Sequence, residues 1–114
     1  MLKNTMRILK FRFWKDKKLQ GILELKNNNI LDMGWEWDSI DQFTGLLDKS
    51  GKEIWEGDIL KCSFPRETII GKVIYRQCGA LFLVESEPYG FNFRSDIEYE
   101  IIGNIYQNGD LLGK

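Results

Sequence analysis

Residues 8–14, Ile8-Leu9-Lys10-Phe11-Arg12-Phe13-Trp14, alternate in character. Leu9, Phe11 and Phe13 fall on one side, and Ile8, Lys10, Arg12 and Trp14 on the other. A period of two over seven residues predicts a strand with one buried face. Lys15-Asp16-Lys17-Lys18 reads as a polar turn and residues 19–26 as a second strand, so 8–26 is expected to be a hairpin. Asn27-Asn28-Asn29 interrupts it, because Asn tolerates left-handed backbone and bonds its own main chain. Residues 30–41 have large apolar side chains but poor periodicity and read as a loop with a short strand. If that segment is extended, Trp35 and Trp37 share a face.

Residues 42–60 carry the densest punctuation of the chain. Phe43-Thr44-Gly45-Leu46 reads as a short extended segment. Asp48-Lys49-Ser50-Gly51 reads as a β-turn, with Asp bonding the backbone two residues on and Gly accepting positive φ. Glu56-Gly57-Asp58 is a second turn, and Asp58 is placed to cap it. Residues 59–64 then alternate, with Leu60, Cys62 and Phe64 on one face. Further strands are expected over 69–76, 80–85, around Phe91-Asn92-Phe93, and over 99–106, where Gly103 suits a tight bend. Asp110-Leu111-Leu112 reads as one helical turn.

No segment carries a 12-residue helical pattern, and strands recur about every ten residues. The expected fold is mainly β: a small SH3-like barrel in the C-terminal part, residues 42–114, with an additional N-terminal β hairpin or subdomain over 1–41. A length of 114 residues fits a single domain able to bury about 65% of its unfolded surface. The 13% aromatic content agrees with a β composition.

Net charge is −1 but unevenly spread: residues 1–26 hold eight basic and two acidic side chains, and the rest holds eight basic and fifteen acidic. One implication is a basic arm for nucleic acid. The other, which we favour, is a basic segment lying against an acidic body, since a free arm has no need of Ile8, Phe11, Phe13 and Trp14. Cys62 and Cys78 are too few for a zinc set, and the chain has no His. No secretory leader pattern and no apolar run of about 18 residues stands out, so no membrane association and a reducing, cytoplasmic setting are expected, with both cysteines as thiols.

Gln42-Phe43-Thr44-Gly45-Leu46, Asp48, Gly51-Lys52-Glu53-Ile54, Glu56-Gly57-Asp58-Ile59 and the terminal Ile102-Gly103-Asn104-Ile105-Tyr106-Gln107-Asn108 resemble the YopX family. The opening strand, with Arg12 close to Trp14, resembles the family's N-terminal start. Trp55, Phe43 and Phe13 depart mildly from the residues usual there. The resemblance implies a mostly β protein with an SH3-type barrel in its C-terminal half, encoded by phages or prophages and working in the bacterial host cytoplasm. It implies no known activity and hence no catalytic residues. Its motif positions, Gln42, Thr44, Gly45, Asp48, Gly51, Ile54, Gly57, Asp58, Gly103 and Asn104, are expected to be structural.

Candidate chemistry is sparse. The absence of His removes the commonest general base and metal ligand. No serine stands in a nucleophile elbow, and the Gly45, Gly51, Gly57 recurrence lacks the Lys-Ser/Thr of a phosphate loop. Glu53, Glu56 and Asp58 cluster, yet Lys49 and Lys52 beside them describe a solvated face, and calcium needs more oxygen ligands than this spacing offers. No enzyme, cofactor or metal is therefore expected. Two functions remain. The first is a non-enzymatic module that binds a host or phage protein, or itself. The second is nucleic-acid binding through Lys10, Arg12, Lys15, Lys17, Lys18 and Trp14; Trp35 and Trp37 are candidates for stacking on a base or a partner's side chain, with cover of the core edge the favoured reading. The overall pI of 5.5 opposes the second.

Overall fold

The alternating segments pair into two antiparallel sheets. The computed structural model describes residues 8–25 and 37–112. One sheet contains β1 (Leu9–Lys15), β2 (Lys18–Leu25), β3 (Ser39–Leu47) and β4 (Glu53–Trp55), in the order β2-β1-β3-β4. The other contains β5 (Asp58–Ser63), β6 (Thr68–Arg76), β7 (Leu81–Ser86), β8 (Tyr89–Asn92) and β9 (Glu98–Asn104), in the order β8-β7-β6-β5-β9. A 3-10 turn at Gly109–Leu112 follows, where the sequence places one helical turn. Among the described residues no helix is long and apolar enough to cross a membrane.

The mainly β expectation holds, with two differences. The second sheet is open: β8 and β9 end its strand order and are not hydrogen-bonded to each other. And Ser39–Leu47, expected as loop then short segment, is a nine-residue strand that crosses the division placed at residue 42. Its polar residues hid it. Ser39, Asp41, Gln42 and Thr44 are held in the strand by partners far away in sequence, which local periodicity does not register.

The glycine-rich stretch does fold by its turn chemistry. Gly45, Gly51 and Gly57 have φ of 90°, 86° and 89°, a region that favours glycine. Gly45 lies in a bulge of β3: Phe43 pairs with Trp55 and Leu47 with Glu53. The Thr44 hydroxyl secures the bulge, donating to the Ile54 carbonyl at 2.7 Å and accepting from the Leu46 N–H at 3.1 Å. Gly103 sits beside a second bulge, since Ile59 pairs with Gly103 and Leu60 with Ile101, leaving Ile102 extra. A Cβ on Gly103 would also lie 2.6 Å from the Asn108 Oδ1, so close approach as well as bending calls for glycine.

Asp48 does more than close its turn. Its Oδ1 accepts the Ser50 and Lys52 N–H groups at 2.8 and 2.9 Å, and its Oδ2 accepts the Ile101 N–H at 3.1 Å. With the Lys49 N–H donating to the Tyr99 carbonyl, the turn covers part of the outer edge of β9 and ties the sheets together. Burial opposes the Asp48 charge, but the N–H groups of Ile101, Lys52 and Ser50 outweigh it and hold the carboxyl below its ordinary value. Asp48→Ala is expected to cost about 1–2 kcal/mol at neutral pH by urea denaturation. A depressed acid contributes stability that is present above its unfolded pKa and lost as pH falls through the folded one. The gap between wild type and variant should therefore shrink in acid; a gap independent of pH would show that the charge is irrelevant.

Ile54 of β4 and Ile97 before β9 join Leu60, Cys62, Val73, Val84 and Tyr99 of the second sheet in one buried core, with Phe64, Phe82, Phe91, Phe93 and Ile101 packed around them. Leu60, Cys62 and Phe64 share the inward face as the alternation predicts. The two cysteines are free and differ: Cys62 is buried and Cys78 exposed. Burial pushes the Cys62 thiol up to about 12. A thiol reagent at pH 8 is expected to label Cys78 at once and Cys62 only on unfolding. Equal labelling of both in the native protein would contradict this packing.

Candidate functional site

The first strand is buried on both faces over its second half, where its periodicity predicts one buried face. Arg12 and Trp14 are 7% and 3% exposed, and Phe13 on the opposite face is 7% exposed, while Leu9 is 37% exposed. The register explains it. Arg12 pairs with Asp41 across β1 and β3, so both side chains point the same way, into the space between the sheets.

There Arg12 is the centre of an ionic hub. Its Nε donates to Asp41 Oδ2 at 2.9 Å, and its Nη2 donates to Asp58 Oδ1 at 2.9 Å and to the Glu56 carbonyl at 3.1 Å. The guanidinium lies 5.2 Å from the Trp14 ring and 5.4 Å from the Trp55 ring. Asp41 Oδ2 also accepts the Trp14 indole N–H at 2.9 Å. Asp41 Oδ1 accepts the Tyr106 hydroxyl, which in turn contacts Ser39 Oγ. Tyr106 stacks on Trp14 at 4.6 Å between centroids. Asp58 Oδ2 takes the Trp55 N–H at 2.8 Å, the turn cap expected of it.

The hub therefore gathers β1, β3, the β4–β5 turn and the segment after β9. Gly57 lies at the crossing. Its N–H donates to the Val73 carbonyl and its carbonyl accepts the Ile105 N–H, both at 2.9 Å. A Cβ there would be 3.3 Å from Asp41 Oδ2. Gln42 fixes Glu56 from the other side: its N–H donates to Glu56 Oε1 at 3.2 Å and its carbonyl accepts the Glu56 N–H at 2.9 Å.

Burial raises the Asp58 carboxyl despite the opposing Arg12 charge and Trp55 N–H. Burial, then Asp41 as a like charge, raise Glu56 against its bond from Gln42. Burial and the bond to Asp41 push the Tyr106 phenol up to about 12, so it stays a donor. Among the described residues no buried side-chain nitrogen or oxygen lacks a partner. The buried atoms of the hub bond one another, while Ser39, Glu56 and Tyr106 are half-buried at its margin. Among the described residues no group of three or more His, Cys, Asp or Glu is arranged to hold a metal.

The remaining candidates scatter. Arg12 and Trp14 are corrected: buried and committed to the hub, they are not surface contacts for a phosphate or a base. Lys10 pairs with Glu53 and lies over the Phe43 ring. Lys15 is half-buried, while Lys17 and Lys18 stand exposed at the hairpin tip. Trp37 packs on Phe13, 5.3 Å between centroids, and so covers the sheet. Trp35 lies outside the described residues. Of the motif positions, Ile54 is fully buried, and Asn104 Oδ1 accepts the Tyr106 and Gln107 N–H groups at 3.0 and 2.9 Å. Asp41, Ser39 and Tyr106 were not marked by their sequence as site residues. A usable signal was there: Arg12 inside an apolar alternation and Asp41 between Ile40 and Phe43 are charges that, if buried, require each other.

Open space borders the hub and lies in two further places. A cleft of about 260 Å³ beside the hub is lined by Ile40, Ile74, Tyr75 and Ile105 as well as Asp41 and Tyr106. A second, about 300 Å³, lies among Leu46, Leu47, Phe93 and Tyr99. A third, about 670 Å³, lies between the β6–β7 strands and the 3-10 turn.

Fold and site together define a two-sheet β protein with a buried ionic hub that joins elements of both sheets. The family described as YopX protein matches residues 3–113, and the chain belongs to that family. Comparison with curated proteins finds no match.

Proposed function

We propose that this protein is a non-enzymatic interaction module that binds another protein or a second copy of itself. The observation that carries the reading is the distribution of polar and apolar groups. The ionisable cluster is consumed inside, while large apolar side chains stand outside: Tyr89 is 76% exposed, Leu47 58% and Ile22 56%. Exposed apolar side chains of this size supply docking contacts where they gather into one patch. The strand order supports the SH3-like reading of the second sheet, because four strands meander and the fifth returns beside the first, as in a small partly open barrel. The family supports a phage or prophage accessory role in the host cytoplasm.

The test is affinity capture on immobilised protein, combined with light scattering of the purified chain. A saturable protein partner, or concentration-dependent self-association, is expected. A monomer at every concentration with nothing specifically retained would overturn the reading. Among the described candidates, nucleic-acid binding keeps the exposed lysines of the hairpin tip; a mobility shift at low salt that is lost when Lys17 and Lys18 are replaced would revive it.

A further inference from the structure

The β1–β2 hairpin ends in a tight turn, with Asp16 at φ 53° and Lys17 at φ 63°. The tip is braced from two sides. The Asp16 N–H donates to Asp38 Oδ2 at 2.8 Å, and Gln107 Nε2 donates to the Lys17 carbonyl at 3.0 Å. It presents exposed Lys17 and Lys18, then Leu19, which is 47% exposed. A braced knob loses little conformational freedom on docking.

The 670 Å³ cleft offers the complement. Ile70, Leu111 and Leu112 form its apolar side, with Ile70 40% and Leu111 42% exposed. Glu85 and Glu87 form its acidic side. Lys72, also in the lining, is 3.6 Å from Glu85, and the lining keeps an excess of negative charge.

Resting on the self-assembly form of the function proposed above, we propose that the Lys17-Lys18-Leu19 tip of one copy docks into the Ile70–Leu111–Glu87 cleft of a second copy. The lysines face the carboxylates while Leu19 covers the apolar wall. If the contact is reciprocal the assembly closes as a dimer; if one-way it extends to a ring or chain. Either gives species above the monomer that weaken with salt.

The experiment is size-exclusion chromatography with light scattering, at low and high salt, on three proteins. These are wild type, Lys17→Glu/Lys18→Glu, and that double variant with Glu87→Lys added. All changes are at exposed positions, so unchanged thermal melting is expected to confirm folding. Wild type should assemble, the double variant should associate about tenfold more weakly or not at all, and Glu87→Lys should restore part of the loss. Wild-type assembly indifferent to the lysine reversal overturns this contact and leaves self-assembly standing through another surface. A wild type that stays monomeric overturns this contact, and partner capture then decides the broader reading separately.

Discussion

Arg12→Ala is expected to lower stability by about 3–5 kcal/mol, the largest loss from any single change considered for this chain. Asp41 and Asp58 are each 3% exposed and each lies 2.9 Å from the guanidinium. Truncating Arg12 leaves both carboxylates buried beside one another without a counter-charge, and also exposes an unpartnered Glu56 carbonyl. The whole domain has only about 5–15 kcal/mol to lose. Arg12→Lys should recover little, because a single ammonium cannot reproduce a fork whose Nε and Nη2 address different carboxylates. Guanidinium denaturation of wild type, Arg12→Ala and Arg12→Lys measures this. A loss under about 1 kcal/mol for Arg12→Ala would mean the hub is solvated.

The same measurement separates the value of the hub from the damage of breaking it. Arg12→Ala combined with Asp58→Ala removes a positive and a negative charge together. The double variant should be less unstable than the sum of the two singles, with a coupling above about 1 kcal/mol. At high pH the hub weakens for another reason. In the unfolded chain a tyrosine ionises near 10.0, whereas Tyr106 holds its proton up to about 12. The folded state then binds more protons than the unfolded one, so stability should fall as pH rises through that interval.

Where sequence and structure agree, the cause is local. The turn at Asp48 and Gly51, the cap at Asp58, and the inward Leu60 and Cys62 each depend on residues within a few positions. Spacing and side-chain type are sufficient there. Where they part, the cause is distant. Arg12 meets Asp41 and Asp58 at separations of 29 and 46 residues. On a strand, its alternation with apolar neighbours is equally compatible with a solvated face. β3 reads as irregular because Asp41 and Thr44 stand at positions that an isolated strand fills with apolar groups; their partners, Arg12 and the Ile54 carbonyl, supply what hydrophobicity does not. The expected barrel would need β8 paired with β9; they stand at opposite ends of the strand order, and no short-range pattern specifies such a pairing. The hub residues are site-like in composition and structural in geometry: Asp58, expected to cap its own turn, does so and also meets Arg12.

Gly71→Ala is expected to cost about 3 kcal/mol, although Gly71 belongs to no turn and needs no positive φ. It lies in β6, where an added Cβ would sit 2.7 Å from the Glu85 carbonyl oxygen and 2.7 Å from Val84 Cγ1. The first of these is backbone of β7, hydrogen-bonded into the sheet, and the second belongs to a fully buried core residue. Neither can move away without disturbing the ladder or the core, so the strain remains in the folded state. Gly21→Ala is the control: nothing lies within 4 Å of its Cβ, and its φ is not in the left-handed range, so the change should stay within about 0.5 kcal/mol. Gly45→Ala separates the second cause, since its Cβ has open space but its φ is 90°; a loss of about 1–2 kcal/mol there would be strain alone. The three melting curves should therefore rank Gly71, Gly45, Gly21 in falling order of damage. If Gly71→Ala melts with Gly21→Ala, the approach of β6 to β7 is looser than these distances, and the core of the second sheet tolerates a methyl group that its geometry excludes.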